Sequence, residues 1–206
     1  MNYLSIKRLI DLIVALFLII LFLPIWIIIP ILIKLNSGGS IIYSHRRVGK
    51  GGKEFSLLKF RTMVENADEI LFKRNKKLLE KFKQGDWKLK NDPRITKWGK
   101  WIRNLTIDEF PQLLNVLKGE MSIVGPRAYV KQEIDEQTKK HPETKKLIKK
   151  ILSVKPGITG PWQTSGRNEV PFKKRAEMDY KYARNHSLWQ DLIIIIRTPK
   201  AMISKW

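Results

Sequence analysis

The stretch LIVALFLIILFLPIWIIIPILI, residues 12–33, carries no charge and decides how the rest of the chain is arranged. Taken as straight helix, about 22 residues would just cross a hydrocarbon core of about 30 Å, so an ordinary single span is one reading. Pro24 stands against it, because inside a helix it removes a hydrogen bond and kinks the axis. Pro30 adds a second interruption, and each arm flanking Pro24 is too short to cross alone. Charge argues the same way. Lys7 and Arg8 precede the run, while Lys34, Arg46, Arg47, Lys50 and Lys53 follow it. The positive-inside tendency keeps both flanks on the cytoplasmic side. A helix that enters, bends at Pro24 and returns to the same face satisfies both observations. The run passes directly into Lys34-Leu35-Asn36, without the small-residue cleavage site of a signal peptide, so it is expected to be retained.

At 206 residues the chain has room for one domain and a membrane element. A formal net charge of +21 favours anionic partners: phospholipid headgroups, nucleic acid or phosphorylated metabolites. The absence of cysteine excludes disulfides, thiolate nucleophiles and thiolate metal sites, and fits a cytosol-facing protein. With three His and no His-x-x-x-His spacing, zinc hydrolase chemistry is disfavoured.

Downstream, Ile41–Tyr43 and Glu54–Phe60 read as short strands joined by a turn at Gly49, Gly51 and Gly52; these glycines match no Walker or dinucleotide pattern. Helix is expected over Ala67–Phe82 and Ile95–Arg103, with Asn91-Asp92-Pro93-Arg94 as a break. Phe110, Leu113, Leu114 and Leu117 mark one helical face that ends at Gly119. Lys131–Lys150 is helical with an interruption near Pro142, Lys155–Pro161 is a turn-rich loop, and Phe172–Asn185 is a final helix. Leu192–Ile196 is an apolar run too short to span. The fold class is thus α+β and predominantly helical, with a re-entrant membrane hairpin and a small β element. Lys-rich helices bearing Trp and Phe read singly as solvated surface; together they suit an anionic membrane interface.

Amid this positive charge stand two adjacent acids, Asp108 and Glu109, at a helix start. Capping explains them locally: Thr106-x-x-Glu109 matches a capping box, and Asp108 is an alternative N-cap that places Pro111 in the first turn. A second account is chemical. An aspartate can attack phosphorus and form an acyl phosphate, provided that the phosphate charge is neutralised by Mg²⁺ on one or two carboxylates and by Arg or Lys. Arg103, Arg127 and Arg167 can grip phosphate oxygens bidentately, and the last two sit in the turn-rich segments Gly125-Pro126-Arg127 and Ser165-Gly166-Arg167-Asn168.

The chain resembles the small monotopic phosphoglycosyl transferases of the bacterial sugar transferase family. The likeness runs nearly end to end. It takes in the basic start and re-entrant helix, Lys59-Phe60-Arg61-Thr62-Met63, Asn91-Asp92-Pro93-Arg94 and the Asp108-Glu109 pair. It continues through Asn115–Ser122, Val124–Arg127, Lys155–Gly160 and Ser165–Asn168. The resemblance implies a membrane anchor over residues 1–36 and a catalytic domain over 37–206, at the cytoplasmic face of the bacterial inner membrane. It implies transfer of a phosphosugar from a UDP-sugar to polyprenyl phosphate, with release of UMP. By the same likeness Asp108 is the nucleophile and holds Mg²⁺, Glu109 supports the site, and Arg103, Arg127 and Arg167 bind phosphate and nucleotide groups. Lys59, Arg61, Pro126 and Gln163 are carried over as substrate-binding positions.

There are two departures. Leu23-Pro24 replaces a frequent Ser-Pro at the helix break, and Pro126-Arg127-Ala128 replaces Pro-Arg-Pro. Gly160-Pro161-Trp162-Gln163 with Ser165–Asn168 is closer to galactose- or glucose-phosphate transferases than to those for diacetamido sugars. A membrane-tethered nucleic-acid binder would fit the charge, yet no recognition signature is visible and no nucleic-acid partner is expected. A non-catalytic scaffold of a polysaccharide complex would tolerate loss of both acids. The oligomeric state stays open, a homodimer included.

Overall fold

The computed structural model describes residues 3–85, 89, 91–166 and 170–202. The apolar run forms two helices, α1 (Tyr3–Leu21) and α2 (Leu23–Asn36), whose axes diverge by 63°. Phe22 N still donates to Leu18 O at 3.1 Å, closing α1, and Ile25 N donates to Phe22 O at 2.9 Å, opening α2. Pro24 therefore sits in the first turn of α2, where its missing N–H leaves nothing unsatisfied, instead of kinking a continuous helix. Pro30 does not interrupt: α2 runs through it, contrary to expectation. Its neighbours Ile29 and Ile33 are buried in a cluster with Phe60 and Ile102, and that packing offsets the lost hydrogen bond. Among the described residues no single helix is long and apolar enough to cross a membrane; only the bent pair together has the length and composition.

One side of the pair faces protein and the other is bare. Ala15 is packed into a core with Leu57, Leu113, Val116 and Ile123, while Ile13, Phe17, Ile20, Ile27 and Ile31 are exposed. Asp11, buried in α1, accepts from Ser122 Oγ and from Ile123 N, each at 3.0 Å. Arg8 donates to the carbonyls of Val116 and Leu117 at 2.6 and 3.0 Å. These bonds set the rotation of α1 against the rest of the chain.

Strands β1 (Ile42–Val48) and β2 (Glu54–Phe60) form an antiparallel hairpin around a tight turn at Lys50–Gly52, where Gly51 and Gly52 take positive φ. Tyr43 faces Lys59, His45 faces Leu57 and Arg47 faces Phe55. Because side chains alternate along a strand, Tyr43, His45, Arg47 and Lys59 share one side of the ribbon.

The expected helix Ala67–Phe82 is two pieces. Ala67–Arg74 ends in a widened turn, and the Asn75 side chain accepts from Leu78 N at 3.0 Å to start α3 (Lys76–Gln84) afresh. Helix α4 (Lys97–Asn104) matches expectation. So do the break between α6 (Lys131–Lys140) and α7 (Thr144–Ile151), and the bounds of α8 (Phe172–Asn185). Between them lie α5 (Gln112–Lys118), ended by Gly119 in the left-handed region, and β3 (Ser122–Val124). The run Leu192–Ile196, expected only as a short apolar stretch, belongs to a further helix, α9 (Leu188–Met202).

Lys155–Pro161 is not only loop. Gly157–Thr159 forms β4, parallel to β3. A strand of three residues flanked by Pro and Gly carries too little alternation to announce itself. Its glycine is the reason it pairs at all: a Cβ on Gly157 would strike Gly125 N, and that close approach lets Gly157 N donate to Pro126 O at 2.9 Å.

Candidate active site

Asp108 lies in a tight helical turn, Ile107–Glu109, that precedes α5. Thr106 enters this turn in the left-handed region (φ 58°) and makes no side-chain cap; its hydroxyl donates instead to Met202 O, at the end of α9, at 2.9 Å. Pro111 occupies the cap position of α5. Capping therefore does not explain the two acids. Both reach one lysine: Lys59 Nζ stands 2.6 Å from Glu109 Oε1 and 3.3 Å from Asp108 Oδ2. The Asp108 side chain is 8% exposed and that of Glu109 30%, so the first is the sheltered partner and the second the one open to solvent.

Four hydrogen bonds hold this arrangement. Asn115 of α5 accepts from Leu58 N at 3.0 Å and donates to Ser56 O at 2.8 Å, satisfying the free edge of β2 beside Lys59. The helix following Asp108 is thereby locked to the strand carrying Lys59. On the other side Thr96 N donates to Thr62 O at 3.0 Å, and a Cβ on Gly99 would strike that same carbonyl. This close approach brings Arg103, one turn further along α4, to within 2.7 Å of Thr62 Oγ1 through its Nε. Burial pushes the Asp108 carboxyl above the usual carboxylate range; Lys59 opposes that rise, Glu109 adds to it, and Arg103 opposes it. Burial likewise lowers Arg103, against the pull of Asp108.

The acids open on a cavity of about 840 Å³ lined by Lys59, Arg61, Arg103, Asp108, Glu109, Arg127 and Gln163 among others. So most of the expected site residues meet in one place. Arg61 lines the wall, but its guanidinium donates to Ser37 O at 2.7 Å and also to Gly38 O, fastening the exit of α2. Arg127 rests on Trp162, with Cζ 4.7 Å from the ring centroid. Pro126 stays out of the lining and gives its carbonyl to Gly157. Arg167 lies outside the described residues.

Other lining residues escaped the sequence reading. Arg94 forks onto Asp92 at 2.6 and 2.9 Å and donates to Ala67 O at 3.2 Å, so Asn91-Asp92-Pro93-Arg94 is a clasp as well as a break. Burial would raise the Asp92 carboxyl, yet the bonds from Arg94 hold it below the ordinary value. His45 and Arg47 also line the wall, and their alternation with Tyr43 along β1 was the one signal that could have placed them there. Among the described residues no cluster of three metal-ligating side chains occurs.

The sequence profile of the bacterial sugar transferase family matches residues 2–205. The exopolysaccharide production protein ExoY of Rhizobium meliloti is 42% identical over 199 residues, covering 95% of this chain and 84% of that protein. The UDP-galactose-lipid carrier transferase of Erwinia amylovora is 42% identical over 194 residues, 93% of this chain and 39% of its own length. The undecaprenyl-phosphate galactose phosphotransferase of Salmonella typhimurium is 40% identical over 201 residues, 97% of this chain and again only 40% of its own. This chain thus spans most of the first relative and about two-fifths of the other two. The match over nearly the whole sequence, together with paired acids held by one partly buried lysine, places the chain in the bacterial sugar transferase family, as a phosphoglycosyl transferase.

Proposed function

We propose that this enzyme transfers a hexose 1-phosphate, of galactose or glucose, from a UDP-sugar to polyprenyl phosphate, at an early membrane step of surface polysaccharide or glycoconjugate assembly. The names of the relatives suggest the lipid carrier and the hexose. The observation that carries the chemistry is Asp108, sheltered beside Lys59 at the wall of a cavity rich in arginine.

In the first step an Asp108 oxygen attacks the β-phosphorus of the donor. The bond from that phosphorus to the bridging oxygen breaks, UMP leaves with the electron pair, and a phosphosugar ester remains on Asp108. In the second step a phosphate oxygen of the polyprenyl phosphate attacks the same phosphorus. The acyl phosphate bond breaks, Asp108 returns as carboxylate, and polyprenyl diphosphate sugar departs. Lys59 neutralises charge beside the reacting carboxylate, and Arg103 and Arg127 face phosphate oxygens.

Mg²⁺ suits this donor set, because it is commonly held by one or two carboxylates plus substrate phosphates, and Asp108 with Glu109 supplies them. When bound it would offset phosphate charge.

Incubation with labelled UDP-galactose, UDP-glucose and UDP-N-acetyl sugars, polyprenyl phosphate and Mg²⁺ tests the reading. UMP and a lipid-linked sugar are expected from a hexose donor; no UMP from any of them would end it. The acid limb of kcat/KM is expected above the ordinary carboxylate range, since the attacking form of Asp108 is the ionised one and its pKa is raised. Lys59→Met should shift that limb to still higher pH, as Lys59 favours the carboxylate; a limb that stays put in a pH–rate profile would exclude Lys59 from that role.

The bent pair α1–α2 with its bare outer side supports a monotopic anchor that returns to the cytoplasmic face, where nucleotide sugars are found. Exposed Trp98, Trp101 and Trp189 suit the headgroup level and contact with anionic lipid. Single cysteines replacing Asn2 and Gly38 should both react with an impermeant thiol reagent in inside-out vesicles and neither in right-side-out ones. Opposite labelling would mean a true span.

A further inference from the structure

Beyond the acids, the cavity wall carries a cluster of cations. Tyr43, His45, Arg47 and Lys59 project from one side of the hairpin, and Arg127 and Trp162 close the space over them. Arg47 donates to Ala128 O at 3.0 Å and to His45 Nδ1 at 3.1 Å. Since a guanidinium has no acceptor, the His45 ring must be neutral, with its proton on Nε2. Burial and then Arg47, Lys59 and Arg127 push its pKa down to about 3. Arg47 is itself lowered to about 10, first by burial and next by Arg127. Two half-buried guanidinium groups that oppose each other, with a third cation on the same histidine, are unfavourable unless an anion arrives. Glu133 is close enough to temper Arg47, but it is itself paired with Arg175 at 3.4 Å.

A second observation points the same way. Arg47 Nε, Arg127 Nε, Trp162 Nε1 and Gln163 Oε1 are buried without a hydrogen-bond partner, and all four residues line the cavity. Buried polar atoms are nearly always paired in a finished structure. Three donors and one acceptor left open together describe the complement of a ligand that carries a phosphate and a polar heterocycle.

We propose that Arg47 is a further phosphate-binding residue of the donor site, acting with Arg127 on the phosphate of the departing nucleoside monophosphate while Trp162 and Gln163 close that part of the cavity. The inference rests on the UDP-sugar reading. It assigns the leaving phosphate to the hairpin wall and leaves the β-phosphoryl group to Lys59 and Arg103 beside Asp108.

Calorimetric binding of UMP and of uridine, with no acceptor lipid present, separates the two readings. Arg47→Gln should weaken UMP on the order of 10- to 100-fold, the loss of one charge-assisted fork, and leave uridine unchanged. Gln163→Glu, which adds a negative charge without removing any bond that holds the hairpin, should weaken UMP by a similar factor and decides the matter if Arg47→Gln melts early. UMP bound equally by wild type and both variants would overturn the role of Arg47. Wild type that binds no UMP, and releases none from any donor, would overturn the UDP-sugar reading itself.

Discussion

Asp108→Asn is expected to lower UMP release on the order of 10⁴-fold or more, the scale seen when a nucleophile is removed from a covalent mechanism, and to leave the fold intact. Asparagine has the same shape, and Lys59 keeps Glu109 as its nearer partner at 2.6 Å. The stability should in fact hold or rise at neutral pH. A buried carboxyl whose folded pKa is raised contributes stability below its ordinary titration range and loses it as pH climbs through the raised value. Asparagine does not titrate, so the variant escapes that loss from the ordinary carboxylate range upward. Wild-type protein mixed with donor but no acceptor lipid should carry a sugar-phosphate mass on the peptide containing residue 108, sensitive to hydroxylamine. Glu109→Gln should retain the adduct and lose less activity, because Glu109 is the more exposed acid and the one not placed to attack. Equal UMP release from wild type and Asp108→Asn would remove Asp108 from the reaction.

What was legible beforehand divides by the range of the interaction concerned. Some amphipathic helices were read with their ends almost right, as at Phe172–Asn185, because amphipathic spacing is a local property, while Ala67–Phe82 proved to be two pieces and Leu188–Met202 went unread. The meeting of Lys59 with Asp108, by contrast, spans 49 residues, and family likeness, not spacing, put both at the site. Capping was the better local account of Thr106-x-x-Glu109 and failed for a non-local reason: the threonine hydroxyl is taken by Met202 and the acids by Lys59. Pro30 read as a breaker and proved compatible with helix, since packing outweighs one missing bond. Strand β4 escaped because its pairing depends on backbone contact between Gly125 and Gly157, which no side-chain pattern encodes. Arg61 and Arg94 show the same limit from another side. Each looked like a phosphate ligand or a loop residue, and each spends hydrogen bonds on fastening the chain around the cavity.

Asp191→Ala is expected to cost about 3–5 kcal/mol of stability, the range for breaking a buried charge pair by removing one partner. The Asp191 carboxylate, 6% exposed, accepts from Lys7 Nζ at 2.7 Å, Tyr3 Oη at 3.1 Å and Tyr182 Oη at 2.5 Å. It thus joins the first turns of α1 to α8 and α9. Alanine would leave the Lys7 ammonium largely buried without its Asp191 counter-charge and the Tyr3 hydroxyl short of its acceptor, while the Tyr182 hydroxyl keeps Val124 O at 3.2 Å. For a chain of this size the loss corresponds to a fall in Tm of roughly 10 °C, measurable in lipid nanodiscs. Asp191→Asn, which keeps an acceptor, should fall less. Lys7→Met with Asp191→Leu should recover most of the loss, because the cost lies in the orphaned charge and not in the absence of the pair. The consequence reaches the site along α9, whose far end receives the Thr106 hydroxyl beside Asp108. Activity per folded molecule should therefore fall in Asp191→Ala even well below its Tm. An unchanged Tm would mean that α1 is held by its apolar contacts alone. An unchanged turnover would mean that α9 does not transmit the position of α1 to Asp108.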